Sequence, residues 1–185
     1  MRKLTHDEIA QNRIKLDTLH LAKKIPVTVV LDSIRSAYNV GAIFRTSDGA
    51  MIEKLYLCGY TPHPPNKEVL KTALGATDSV SWEYYQDIVE LIKKLKSENY
   101  LIGSLEQTSK SIPHYDFEKL DLTKRVCLII GNEIKGVKDE VIELCDFALE
   151  IPQYGIKQSL NVAVAYGITI FRIRETYDKL KSQST

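Results

Sequence analysis

Several things are scarce in this chain, and each scarcity narrows the reading. Cysteine occurs three times in 185 residues, at Cys58, Cys127 and Cys145. An odd number without regular spacing argues for a reducing compartment rather than a disulfide framework and predicts buried thiols. Net charge is almost absent, at +1 with 25 Lys and Arg against 24 Asp and Glu. A global polycation signature is therefore missing, although a local basic patch is still allowed because phosphate affinity depends on where charge sits. No apolar run approaches the ~20 residues that a membrane span needs. The opening MRKLTHDEIAQNRIKL lacks the apolar core of a signal peptide, so the expectation is a soluble, cytoplasmic protein without membrane contact. His6, His20, His63 and His114 lack metal-ligand spacing, and no metal site is expected. G-x-G-x-x-G and G-x-x-x-x-G-K-[ST] are both missing, which removes the two commonest phosphate-cradling loops.

What remains is ordinary globular composition, 44% hydrophobic and 26% charged, at a length that supports one domain with a sizeable core. Thr5 and Glu8 fit a capping box, and the spacing of Ile9, Ile14, Leu16, Leu19 and Leu21 predicts an amphipathic helix to about residue 22. Short β-branched or apolar runs predict strands at 27–32, 54–58, 80–84, 100–105, 125–130 and 147–151. Helices are predicted at 39–50, entered through Asn39-Val40-Gly41, and at 87–96, 137–144 and 160–181. The stretch 59–66 holds three prolines and reads as a loop, and 109–124 reads as an irregular connection. Alternating strands and helices predict an α/β fold, a mostly parallel sheet flanked by helices. The tail from Lys179 to Thr185 is expected to fray.

Three glycine-, amide- and charge-bearing stretches follow predicted strands: Asn39–Thr46 (NVGAIFRT), Gly131–Val137 (GNEIKGV) and Ile151–Val164 (IPQYGIKQSLNVAV). Loops of this kind at strand ends leave backbone groups free for a polar ligand. In order and spacing they resemble the three motifs of the SPOUT superfamily of RNA methyltransferases, in the SpoU or TrmH-like branch that methylates ribose 2′-hydroxyls. They are Asn39-x5-Arg45 with Thr46, Gly131-Asn132-Glu133-x2-Gly136, and Ile151-Pro152 through Ser159-Leu160-Asn161, framing residues 27 to 172.

The resemblance implies a C-terminal trefoil knot and S-adenosylmethionine as methyl donor, gripped by loops that include Leu105, Gly131, Asn132, Ile151, Ser159 and Leu160. It implies catalytic roles for Arg45, Asn39, Glu133, Ser159 and Asn161. A guanidinium is a poor base, so Arg45 is expected to orient the ribose hydroxyl and an RNA phosphate. Glu133, directly after a buried strand, is placed to hold Arg45 or to contact the RNA. Arg45 read without its motif is a surface residue in a salt bridge, Asn39 a plain helix cap and Glu133 an exposed loop acid. Lys71 and Thr72, in KTALGA, resemble a family stretch near the RNA; a solvated lysine is the plainer reading of Lys71. Trp82, Tyr84 and Tyr85 cluster, with sheet packing the simpler explanation than base stacking.

The departures from the family pattern are Gly49-Ala50-Met51, where many relatives carry an aromatic-Gly pair, and an N-terminal extension (1–24) in place of a separate RNA-binding domain. Residues 25–185 form the expected methyltransferase domain. A homodimer acting on tRNA or rRNA is expected, and the rival reading is a lapsed RNA-binding module of the same fold. The basic residues Arg2, Lys3, Arg13, Lys15, Lys23 and Lys24 are a candidate addition to RNA binding.

Overall fold

In the computed structural model, which describes residues 1–183, seven parallel strands form one sheet. They are β1 (Ile25–Asp32), β2 (Ile52–Cys58), β3 (Trp82–Tyr85), β4 (Tyr100–Leu105), β5 (Ile112–Pro113), β6 (Arg125–Ile130) and β7 (Phe147–Glu150). Their order across the sheet is β3-β2-β1-β6-β4-β7-β5. The helices are α1 (His6–Gln11), α2 (Ala37–Ala50), α3 (Lys67–Ala73), α4 (Ala76–Ser79), α5 (Ile88–Ser97), α6 (Asp139–Ile142) and α7 (Val162–Gln183).

The central strands are apolar on both faces because both are covered, as parallel sheets require. Side-chain alternation divides them between two cores. Val27, Val29 and Leu31 of β1 and Val126, Leu128 and Ile130 of β6 join the core shared with residues of α2, α3 and α7. Val30, Cys127 and Ile129 face the opposite core, which holds Leu91, Ile92 and Leu95 of α5. Cys58 and Cys127 are buried as expected, and Cys145 is partly buried. The aromatic residues of β3 are packed. Trp82 meets Phe44, Tyr85 meets Tyr56 and Tyr84 lies against His63.

Several boundaries differ from expectation for local reasons. The N-terminal segment is not one amphipathic helix: α1 is followed by a separate 3-10 helix over Leu16–Leu21, and neither buries a residue. Its apolar spacing has no core to face. Ser36, not Asn39, caps α2, accepting the Asn39 N–H at 3.3 Å, so Asn39 lies inside the first turn. Met51 ends α2 in the left-handed conformation without a glycine, which resolves the departure at Gly49-Ala50-Met51. The stretch 67–79 forms α3 and α4, for which no helix was expected. The connection 109–124 holds β5 and a 3-10 turn, His114–Lys119, with Phe117 fully buried. The predicted helix at 137–144 shrinks to the single turn of α6. The last helix begins at Val162, after an irregular segment over 151–161, and continues to Gln183. Ser184 and Thr185, part of the tail expected to fray, lie outside the described residues.

The helix α7 returns over α2 and fixes it. Tyr166, fully buried, shares a hydrogen bond of 2.7 Å with Ser47 of α2. Burial pushes the Tyr166 phenol up, so it stays neutral. Arg174 donates to the Ala50 carbonyl at the end of α2. Tyr166→Phe and Ser47→Ala each strand a buried hydroxyl and are expected to destabilise by about 1–2 kcal/mol. The double variant should cost less than the two together, as a denaturant double-mutant cycle would show.

Candidate active site

The strands β4, β6 and β7 end together, and the loops leaving them surround a cleft of about 630 Å³. Leu105, Ile130, Leu149, Ile151 and Leu160 supply its apolar surface. The loop after β6 is the most tightly built. A Cβ on Gly131 would meet the Gly136 carbonyl carbon and the Val137 nitrogen at 2.3 Å, so no side chain fits there. Gly136 takes φ = +67°, where glycine carries no steric penalty. Asn132 and Gly136 exchange backbone hydrogen bonds of 3.1 and 2.9 Å. The Asn132 side-chain oxygen accepts from the N–H groups of Ile134 and Lys135, both at 3.0 Å. Its amide donates to the Ser33 carbonyl and to the Tyr60 hydroxyl, each at 2.8 Å. Glu106 buttresses the far side, accepting from the Val137 N–H at 3.0 Å and the Gln107 N–H at 2.9 Å.

A second set of bonds joins this loop to α2 and α7. Glu133 accepts from the backbone N–H groups of Arg35 and Ser36 at 2.8 and 3.0 Å, and from the Asn39 amide at 2.9 Å. The Asn39 oxygen accepts from the Asn161 amide at 3.1 Å. Asn161 then caps α7, its oxygen accepting from Ala163 and Val164 N–H at 2.9 and 3.3 Å. One continuous chain, Glu133–Asn39–Asn161, thus fastens all three motif stretches. The carboxylate also sits at the start of α2, where unpaired N–H groups favour negative charge. Partial burial alone would raise the Glu133 carboxyl; hydrogen bonds from Arg35, Asn39 and Ser36 outweigh it and hold the group below its ordinary range.

The structure brings Leu105, Gly131, Asn132, Ile151, Ser159 and Leu160 to the cleft wall, with Glu133 and Asn161. Asn39 reaches it only through Glu133 and Asn161. Arg45 stands apart, exposed, two turns further along α2, its side chain without a hydrogen bond or ion pair to any other described residue. The surface salt bridge that an arginine commonly makes is therefore absent there, and Glu133 holds the start of α2 instead of Arg45. Asn39 is not the helix cap, and Glu133 is not a free loop acid. Lys71 is exposed on α3, away from the cleft. The Thr72 hydroxyl donates to the Glu68 and Val69 carbonyls and packs against Gly41, where a Cβ would come within 1.8 Å. Thr72 is thus occupied by the α2–α3 contact. Sequence reasoning missed Glu106, whose signal is an acid directly after the predicted strand YLIGSL, and Ser36, three residues before Asn39.

Acidic groups also outnumber basic ones in the cleft lining. Glu106, Glu133, Asp139 and Glu150 line it against one cation, Lys135. Such a lining repels phosphates and suits a ligand carrying positive charge beside a flat apolar group. S-adenosylmethionine, with its sulfonium, ammonium and adenine, has that chemistry, and the residues present fit it. Among the described residues no helix is long and apolar enough to cross a membrane, and no group of three His, Cys, Asp or Glu gathers at metal-binding distance.

Because folding lowers the Glu133 pKa, its contribution to stability is present above the ordinary carboxylate range and is lost as pH falls through the folded value. Glu133→Gln should cost about 1–2 kcal/mol at neutral pH. Chemical unfolding from about pH 6 to about pH 3 should show wild type losing more stability than Glu133→Gln. Parallel losses would remove the electrostatic role.

The model of the SpoU rRNA Methylase family matches residues 26–171. The tRNA (guanosine(18)-2′-O)-methyltransferase of Aquifex aeolicus is 34% identical over 147 residues, 77% of this chain and 66% of the relative. The crystal structure of the Aquifex aeolicus TrmH/SpoU tRNA modifying enzyme superposes with a TM-score of 0.76 at 28% identity, over 91% of this chain and 85% of that one. The AdoMet-bound rRNA methyltransferase from Sinorhizobium meliloti gives 0.75 at 26% identity, over 85% of this chain and 59% of that one. This chain therefore spans less than two thirds of the first and third of these proteins. The match covers all three motif stretches and all of the sheet but Ile25, and the chain belongs to the SpoU rRNA methylase family.

Proposed function

We propose that this protein is an S-adenosylmethionine-dependent RNA ribose 2′-O-methyltransferase acting on tRNA or rRNA. The observation that carries the reading is the acid-lined cleft whose loop is tied by the Glu133–Asn39–Asn161 chain to α2, the helix that carries the unpaired Arg45 side chain. When bound, S-adenosylmethionine supplies an electrophilic sulfonium methyl. Leu105, Ile151 and Leu160 offer apolar surface to the adenine, while Gly131, Asn132 and Ser159 bring backbone and hydroxyl groups to its polar edges. Glu133 and Asn161 hold the rims of the cleft in register.

A ribose hydroxyl is barely ionised at neutral pH and needs stabilisation as negative charge develops on its oxygen. Arg45 does this by orienting the hydroxyl and an adjacent phosphate with donors that no other described residue occupies. Asn39 fixes the helix that carries Arg45. Lys71 adds a phosphate contact on the same α2–α3 face, with Thr72 setting the helix spacing beside it. The N-terminal extension contributes as well: residues 1–24 hold six Lys and Arg against three Asp and Glu, while the whole chain is only +1.

On this reading the segment 151–161, which must cross the ends of β4 and β6 to bring α7 onto α2, is part of the trefoil knot. The protein is a cytoplasmic homodimer. Val164, Ile168 and Phe171, exposed along one stripe of α7, are the apolar surface that a second copy would cover.

The test is transfer of labelled methyl to unmodified bulk tRNA and, separately, to rRNA, with nuclease digestion to locate the label. Label should lie on the ribose 2′-oxygen, and Arg45→Ala should reduce the rate by roughly a hundredfold. S-adenosylhomocysteine binding should be unchanged in that variant, because Arg45 does not line the cleft. Label on a base, or RNA binding without cofactor binding, would overturn the proposal, the second in favour of a lapsed RNA-binding module.

A further inference from the structure

The rings of β3 are engaged in packing, but Tyr60 is not. It is 63% exposed, although its surroundings are among the most constrained in the molecule. Gly59 before it takes φ = +59°, and a Cβ there would lie 2.5 Å from the Ser33 hydroxyl. Thr61 after it is buried; its hydroxyl donates to the Leu31 carbonyl and accepts from the Ile34 N–H, both at 3.0 Å. The Ser33 and Thr61 N–H groups both donate to the Cys58 carbonyl, at 3.1 and 3.2 Å. The backbone on either side of Tyr60 is thus clamped to the end of β1. At the far end of the ring, the phenol oxygen accepts the Asn132 amide at 2.8 Å, leaving its own hydrogen free to donate. Tyr154, more exposed still at 93%, has no such anchor.

We infer that Tyr60 is a nucleobase platform: its exposed ring, held at both ends and registered on the cleft loop through Asn132, stacks on an unpaired base of the RNA next to the ribose being methylated. This rests on the RNA methyltransferase reading above. Single-stranded or splayed bases are recognised by stacking on aromatic rings, and a ring already fixed loses little freedom in doing so. Charge on the same loops agrees. Arg35, after Ser33, and Lys135, whose N–H is held by Asn132, are exposed cations whose side chains have no acceptor among the described residues. They offer phosphate contacts from the two segments that hold Tyr60, the exit of β1 and the loop after β6. The neighbouring cation Lys138 is drawn to Asp32, at 3.9 Å.

Tyr60→Ala and Tyr60→Phe separate stacking from a purely structural hydrogen bond. The assays are steady-state methylation of whichever of bulk unmodified tRNA or rRNA the wild type accepts, and calorimetric binding of S-adenosylhomocysteine. Tyr60→Ala should raise the KM for RNA about tenfold, with cofactor affinity unchanged. Tyr60→Phe, which keeps the ring, should stay within about threefold of wild type. A Phe variant as impaired as Ala, or an Ala variant with unchanged RNA KM, would overturn the platform while leaving the methyltransferase reading intact. Failure of the wild type to methylate either RNA would overturn both.

Discussion

The hydrogen-bonded chain Glu133–Asn39–Asn161 is the constraint on which the rest of the site depends. Three stretches far apart in sequence must hold one geometry at the C-terminal ends of a parallel sheet, and each is by itself a loop or a helix start with unpaired polar groups. The chain satisfies those groups with one another. Glu133 takes up backbone donors at the start of α2, Asn161 does the same for α7, and Asn39 bridges the two. A network of this kind is rigid when every member is satisfied and costly when one is removed.

Outward from that chain, the molecule separates two electrostatic tasks. The cleft is acid-lined, which suits a cationic methyl donor, whereas the surface that would meet RNA carries Arg35, Arg45 and Lys71, with Lys135 shared between the two. The near-neutral total charge hides this division. Helix α7 holds the separation mechanically, since it starts at the cleft with Asn161 and ends by pinning α2 through Tyr166 and Arg174. Movement of α7 would therefore shift the cleft wall and the arginine together.

Much of this was legible in the sequence where one local rule dominates. The central strands β1, β2, β4 and β6 announce themselves by short β-branched or apolar runs, and α5 by its stripe of Ile88, Leu91, Ile92 and Leu95. The motif stretches were recognisable as loops after strands, and the residues assigned to the cofactor do gather at one cleft. Elements defined by tertiary context were not legible. The strand β5 is two residues long and exists because it pairs with β7. The apolar spacing of residues 9–21 resembles a helix, yet neither short helix there buries a residue. Who bonds whom was also hidden: Glu133 could be imagined holding Arg45, and only the fold shows that the backbone of Arg35 and Ser36 reaches it first. Tyr60 carried no signal because its clamp comes from residues of β1 and the loop after β6.

The central claim is that Asn39, which does not line the cleft, shapes it through Glu133 and Asn161. Calorimetric titration of S-adenosylhomocysteine into wild type and Asn39→Leu tests this directly. The account predicts roughly tenfold weaker binding in the variant, the equivalent of one lost hydrogen bond of about 1.4 kcal/mol. Equal affinity in a variant that remains folded would mean that the cleft is set by its own loops alone, and that the hydrogen-bonded chain between the motifs does not organise the site.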